Sequence, residues 1–233
     1  ISNFYSPNFN KKKRSNKSIK IIIIHYTGMQ SERESLVRLC NPKSKVSSHY
    51  FIKNNGEIFK LVEDHHVAWH AGKSNWKKYN SINKYSIGIE IQNSGNQNFT
   101  NSQIRSSIKI SKYLIKKYKI NRKNILGHSD IAYLRKKDPG EKFPWKYFAK
   151  NKVGIWPKIN KKKLNKLRKS KTSIIEKKRL LIFLKKIGYL VNKISSKQKI
   201  KLIKAFQRRF RPELINGKID EECLMIAEKI SKI

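Results

Sequence analysis

Apolar residues recur along the chain in short blocks whose spacing separates strands from helices. Residues 20–27 (KIIIIHYT) form a β-branched run of the kind found in buried central strands, with His25 near its end. The pattern at 31–39 predicts a helix. Residues 48–53 (SHYFIK) and 57–62 (EIFKLV) flank Asn54-Asn55-Gly56, a strong hairpin signal. After a Trp- and His-rich loop at 64–76, residues 86–92 (SIGIEIQ) alternate. Ile87, Ile89 and Ile91 point one way, and Gly88, Glu90 and Gln92 the other. Thr100 and Gln103 form a capping box opening a helix over 100–118, with Ile104, Ile108, Tyr113 and Leu114 as its apolar stripe. A brief strand at 125–127 leads into His128, Asp138-Pro139-Gly140 reads as a turn, and Phe143-Pro144-Trp145 starts a short helix. Three further helical patterns cover 173–187, 195–210 and 220–233. The second opens with a Ser195/Gln198 capping box and carries Ile200, Ile203, Phe206 and Phe210 on one stripe.

Strands interleaved with helices predict an α/β domain over 19–157, after a basic extended lead-in at 1–18. A basic linker at 158–172 then leads to a small three-helix bundle at 173–233, whose Phe206 and Phe210 are expected in its core. Between 158 and 171 there are eight basic residues and no acid. The whole chain of 233 residues has 55 Lys+Arg against 15 Asp+Glu, a formal net charge of +40. Its 38% hydrophobic content, in periodic blocks, excludes disorder throughout. No stretch approaches the ~18 apolar residues of a membrane span. Cys40 and Cys223 are too few for a disulfide scaffold or a Cys-rich zinc finger.

Charge of this size suits nucleic acid, an anionic envelope polymer or a membrane surface, and it also follows from a compositional bias toward Lys, Ile and Asn. No RNP-like aromatic run and no finger spacing accompanies it, so no dedicated nucleic-acid partner is expected. The chain begins with Ile rather than Met, which is read as an exported protein after processing, periplasmic or envelope-associated, with a cytoplasmic place left open. A monomer is expected.

Three residues stand where a site would open. His25 lies near the end of one strand, His128 follows another, and Asp138 comes ten residues later at a Pro-Gly turn. Two imidazoles and a carboxylate suit Zn2+ with an open fourth position. Taken singly, they also read as a core histidine, a turn residue and a loop cap. Glu90 is a carboxylate inside an otherwise apolar strand, where an unpaired charge is costly. Lys136 could direct its ammonium to the same place, or simply belong to the basic cluster Arg135-Lys136-Lys137.

An ordered set of motifs then makes a family resemblance specific. These are Ile24-His25-Tyr26-Thr27, Ser47-Ser48-His49-Tyr50-Phe51-Ile52, Ala68-Trp69-His70-Ala71-Gly72, Ser86-Ile87-Gly88-Ile89-Glu90, Gly127-His128-Ser129-Asp130-Ile131-Ala132 and Lys136-Lys137-Asp138-Pro139-Gly140. Together they resemble the zinc-dependent N-acetylmuramoyl-L-alanine amidases of type 2, and the closing Phe143-Pro144-Trp145 looks most like the AmiD branch. Ala205 through Pro212 resembles a peptidoglycan-binding-type domain.

The resemblance implies a central mixed β-sheet flanked by helices and one Zn2+ per chain held by His25, His128 and Asp138. It makes Glu90 the catalytic acid–base and Lys136 the stabiliser of the oxyanion, and it places Trp69, His70 and Asn93 along the substrate groove. His49 is expected to hold structural hydrogen bonds, and His65 and His66 to be loop residues. The substrate implied is the amide joining the lactyl group of N-acetylmuramic acid to L-alanine, in peptidoglycan or muropeptides. A recognition module without catalysis would lack a ligand or Glu90, and a nucleic-acid binder would show steep salt dependence on duplex.

Overall fold

The computed structural model describes residues 2–160, 164, 166–168, 170 and 172–233; residues 161–163, 165, 169 and 171 of the expected basic linker lie outside the described residues. In chain order the strands are β1 (Ser2–Asn3), β2 (Phe9–Asn10), β3 (Ile21–Tyr26), β4 (Tyr50–Ile52), β5 (Ile58–Lys60), β6 (Val67–Ala68), β7 (Asn75–Trp76), β8 (Tyr79–Asn80), β9 (Ser86–Ile91) and β10 (Ile125–Gly127). The helices are α1 (Glu32–Cys40), α2 (Asn101–Tyr118), α3 (His128–Ile131), α4 (Trp145–Lys150), α5 (Ile174–Ile187), α6 (Ser196–Phe210) and α7 (Glu221–Ser231).

The central sheet runs β1-β5-β4-β9-β3-β10 and is mixed, since β4 and β5 are antiparallel and every other neighbouring pair is parallel. Local signals explain several elements. Gly56, at φ +87, closes the β4–β5 hairpin. The Thr100/Gln103 and Ser195/Gln198 capping boxes both form. Ser31 caps α1 by accepting from the Glu34 amide.

Successive strand residues face opposite sides of the sheet. Ile22, Ile24, Ile87, Ile89 and Ile91 pack on one side with Ile108, Ile110 and Leu114 of α2. Ile21, Ile23 and Leu126 pack on the other with Trp76 and with Leu180, Leu184, Leu202, Phe206 and Ile226 of the C-terminal helices. Those helices therefore share a core with the sheet. Phe206 and Phe210 are buried, as expected. Two stripe positions come out differently: Ile200 is 49% exposed and Tyr113 is 50% exposed, with the Lys117 ammonium over the Tyr113 ring. The lead-in is also more than a tail. β1 adds an edge strand, β2 pairs with β6, and the Arg14 guanidinium donates to the carbonyls of Asp64 and Asn83.

Candidate active site

His25 comes from the C-terminal end of β3, and His128 from the residue after β10, which is parallel to β3. Parallel strands collect such residues at their carboxyl ends. Asp138 is delivered by the turn after α3, with a cis Asp138–Pro139 bond and its carbonyl accepting from the Ser129 amide at 2.9 Å. The three side chains are buried, and Asp138 Oδ2 lies 2.9 Å from His25 Nδ1 and 3.0 Å from His128 Nδ1. One donor atom from each falls within 4.8 Å of the others.

The partners on the far side of each ring assign the tautomers. The Ser86 hydroxyl donates to the Ile82 carbonyl at 2.8 Å, so it accepts from His70 Nε2–H at 3.2 Å. His70 Nδ1 then accepts from His25 Nε2–H at 3.0 Å, which leaves His25 Nδ1 with a free lone pair. His128 Nε2–H donates to the Ala71 carbonyl at 3.1 Å, leaving its Nδ1 free in the same way. Two imidazole nitrogens and a carboxylate oxygen thus turn lone pairs on one point, and each ring is oriented by an outer hydrogen bond. That donor set fits Zn2+. Burial pushes His25 down to about 4 against the pull of Asp138. Burial also pushes His70 well below the usual imidazole range, reinforced by the neighbouring histidines. For Asp138, burial raises the carboxyl, but hydrogen bonds and charge from His25 and His128 in their Nδ1-protonated forms outweigh it and hold it well below the usual carboxylate range; a bound metal would take the place of those protons. Neutral rings and an ionised carboxylate are the forms that bind a metal.

Glu90 sits on β9 directly across from His25 on β3. Its Oε2 is out of contact with solvent and has no hydrogen-bond partner among the described residues. Burial pushes its carboxyl well above the usual range, with the nearby Asp138 adding to the effect and Lys136 opposing it. Lys136 is exposed and lines the same cleft of about 430 Å3, together with Tyr26, Arg38, Trp69 and Glu90. A second cavity of about 490 Å3, between α4 and the C-terminal helices, contains none of these donors.

The remaining expected residues divide. Trp69 lines the cleft, its indole donating to Asn10 Oδ1 of the lead-in at 2.7 Å. His70 also lines the cleft, and with both ring nitrogens engaged, by His25 and by Ser86, it supports a neighbour as well. Asn93 does not line the cleft. It is buried, and its side chain shapes the loop after β9 by accepting from the Gly95 amide at 2.7 Å and donating to the Gln97 carbonyl at 3.1 Å. His49 has the structural role expected, accepting from the Gly88 amide at 3.0 Å. His65 and His66 stand outside the donor set.

Sequence reasoning passed over two contributors. Arg135 donates to the Ala71 and Lys73 carbonyls and so holds the loop that orients His128. Gly88 admits the His70 ring where a methyl group would be 2.5 Å from Cγ. A glycine inside an alternating strand was the available signal for that close approach.

Comparison with known proteins is consistent with this arrangement. A family profile described as N-acetylmuramoyl-L-alanine amidase matches residues 15–141. The chain is 35% identical over 229 residues to N-acetylmuramoyl-L-alanine amidase AmiD of Escherichia coli (strain K12), covering 91% of this chain and 82% of that protein. It is 33% identical over 161 residues to 1,6-anhydro-N-acetylmuramyl-L-alanine amidase AmpD of Haemophilus influenzae, covering 61% of this chain and 87% of that protein. The crystallised complex of E. coli AmiD with anhydro-N-acetylmuramic acid-L-Ala-D-gamma-Glu-L-Lys superposes with a TM-score of 0.82 at 34% identity, covering 96% of this chain and 91% of that one.

Proposed function

The chain belongs to the N-acetylmuramoyl-L-alanine amidase family and is a peptidoglycan amidase, and from that premise we propose that His25, His128 and Asp138 hold one Zn2+ while Glu90 and Lys136 carry the proton and charge of hydrolysis. The bond cleaved is the amide between N-acetylmuramic acid and L-alanine of the stem peptide. One observation carries the proposal: three donor atoms within 4.8 Å, beside a carboxyl oxygen kept dry and unpartnered.

When bound, Zn2+ acidifies water toward a pKa of ~7 and polarises the scissile carbonyl. Glu90 takes the proton from the attacking water and later delivers it to the departing amine of L-alanine. The Lys136 ammonium, in the same cleft, neutralises charge on the carbonyl oxygen as the carbon becomes tetrahedral. Trp69 offers an apolar face along the cleft for the glycan. The net charge of +40 supports affinity for the anionic wall, and the reading places a monomeric chain at the cell envelope. The helices of 173–233 add wall affinity in this reading.

Metal analysis with mass spectrometry of digested muropeptides tests the proposal. About one zinc per chain is expected, lost together with activity in His128→Ala. Glu90→Gln keeps zinc while turnover falls by ~10²–10⁴. Lys136→Ala keeps zinc and loses ~10²–10³, with Lys137→Ala as the near-neutral neighbour. Native protein that holds no zinc and gains no activity on its addition would refute the metal assignment, and full turnover by Glu90→Gln would refute the base.

A further inference from the structure

The turn that carries His128 is held from the C-terminal helices. α3 has four residues, too few to be stable by itself. Its Asp130 folds back so that Oδ2 accepts from the Gly127 amide at 2.8 Å. Asp130 is 1% exposed, and a buried carboxylate needs compensation. Both partners lie outside the amidase profile: the Arg209 guanidinium of α6 pairs with Oδ2, and the Tyr189 hydroxyl, just after α5, donates to Oδ1 at 2.6 Å.

Arg209 also donates through Nη2 to the Ile125 carbonyl at 2.7 Å, so one guanidinium ties both ends of the segment from β10 to α3. Its own position is fixed by the Trp145 ring, 4.4 Å from the guanidinium carbon. Inside the tied segment, Gly127 lies so close to Pro139 that an added Cβ would be 2.7 Å from its Cδ, and the Ser129 amide bonds the Asp138 carbonyl. The clamp on Asp130 therefore bears on the placement of two of the three donor residues.

We propose that Arg209 and Tyr189 are positioning residues for the metal centre, and that the C-terminal helices are part of its support as well as a covering for the sheet. The proposal rests on the reading of His25, His128 and Asp138 as zinc ligands. Loss of a hydrogen-bond partner of a metal ligand commonly weakens affinity by ~10–100-fold, and that range bounds the effect of Arg209 and Tyr189, which act one contact further out. In the full-length chain, Tyr189→Phe and Arg209→Lys should each weaken zinc affinity about tenfold in competition with a chromophoric chelator, and Arg209→Met by up to ~100-fold. The visible spectrum of the Co2+-loaded variants should shift as well.

Tyr133→Phe is the control. Its hydroxyl also bridges to the C-terminal part, donating to the Leu190 carbonyl at 2.8 Å, but it does not touch the Asp130 clamp. It should keep wild-type zinc affinity even where melting of the metal-free protein falls. Wild-type affinity in Tyr189→Phe and Arg209→Lys, with zinc still lost in His128→Ala, overturns the positioning role alone. An equal loss in Tyr133→Phe also overturns it, because general loosening would then be the cause. Zinc retained by His128→Ala removes the ligand assignment and this proposal with it.

Discussion

Gly88→Ala is a stringent test of how the site is built, because it adds one carbon atom that meets only the His70 ring, a support of the site and not one of its donors. The added methyl would lie 2.5 Å from His70 Cγ and 2.7 Å from Cδ2 and Nδ1. An ordinary carbon contact is ~3.5 Å, so the ring must retreat by about 1 Å. The strand cannot yield instead, since the Gly88 amide donates to His49 and its carbonyl accepts from the His49 amide and the Ser48 hydroxyl. Retreat of the ring breaks its contact with His25 or with Ser86. Overpacking costs about 1–3 kcal/mol and the lost buried hydrogen bond about 1 kcal/mol, for a total of roughly 2–4 kcal/mol. In a chain of this size that lowers the melting temperature by roughly 4–16 °C. Circular-dichroism melting of the metal-free protein reads the cost, and chelator competition reads the loosened His25 as weaker zinc binding. The same substitution in a His70→Ala background should cost much less, a coupling that a double-mutant cycle isolates. Unchanged melting and unchanged zinc affinity in Gly88→Ala would refute the reasoning, as would equal costs in the two backgrounds.

Two further outcomes follow from groups away from the donors. The Asp64 carboxylate accepts from the Tyr50 and Tyr118 hydroxyls at 2.7 and 2.6 Å and from Lys117 at 3.0 Å, and these bonds outweigh burial to hold it below its ordinary value of 3.8. Its contribution is present above the unfolded value and lost as pH falls through the folded one. Asp64→Asn should therefore destabilise by about 1.5–3 kcal/mol at neutral pH, with the gap to wild type closing in acid, as read by urea titration across pH. For the charge of +40, binding to sacculi should weaken as salt rises, since exposed charges are screened beyond ~8–10 Å, while turnover of a small soluble muropeptide should change far less. Equal salt sensitivity for both substrates would place the effect at the active site, and none for either would leave targeting without support.

Features set by neighbours in sequence could be read from the sequence. The two capping boxes and the Asn54-Asn55-Gly56 turn involve groups a few residues apart, and they form where expected. Strict alternation in β9 put Glu90 on the face opposite the isoleucines, and the structure aims it at the cleft. Features set by distant groups were not legible. Arg14 is one of 55 basic residues until its guanidinium is seen on carbonyls fifty and more positions away. β1 has two residues and no pattern of its own; the exposed edge of β5 defines it. The sequence places Asn93 and His70 only by motif, whereas what each touches is decided by Gly95, Gln97, His25 and Ser86. The clamp on Asp130 crosses nearly eighty positions, beyond the reach of any local pattern.

A protease or a cloning boundary would find the basic stretch after residue 157 a natural place to cut. The shared core says what such a cut would leave behind. Ile21, Ile23, Trp76 and Leu126, all 2% exposed or less, lie against the C-terminal helices and would face water together. An apolar patch on a sheet is an invitation to self-association. The excised fragment should precipitate, or survive only by borrowing the same helices from a second molecule. The C-terminal segment is then not a cassette that can be exchanged to redirect the enzyme to another wall. Any graft would have to bring its own replacements for Leu180, Phe206 and Ile226, and carry an arginine to the place that Arg209 now fills.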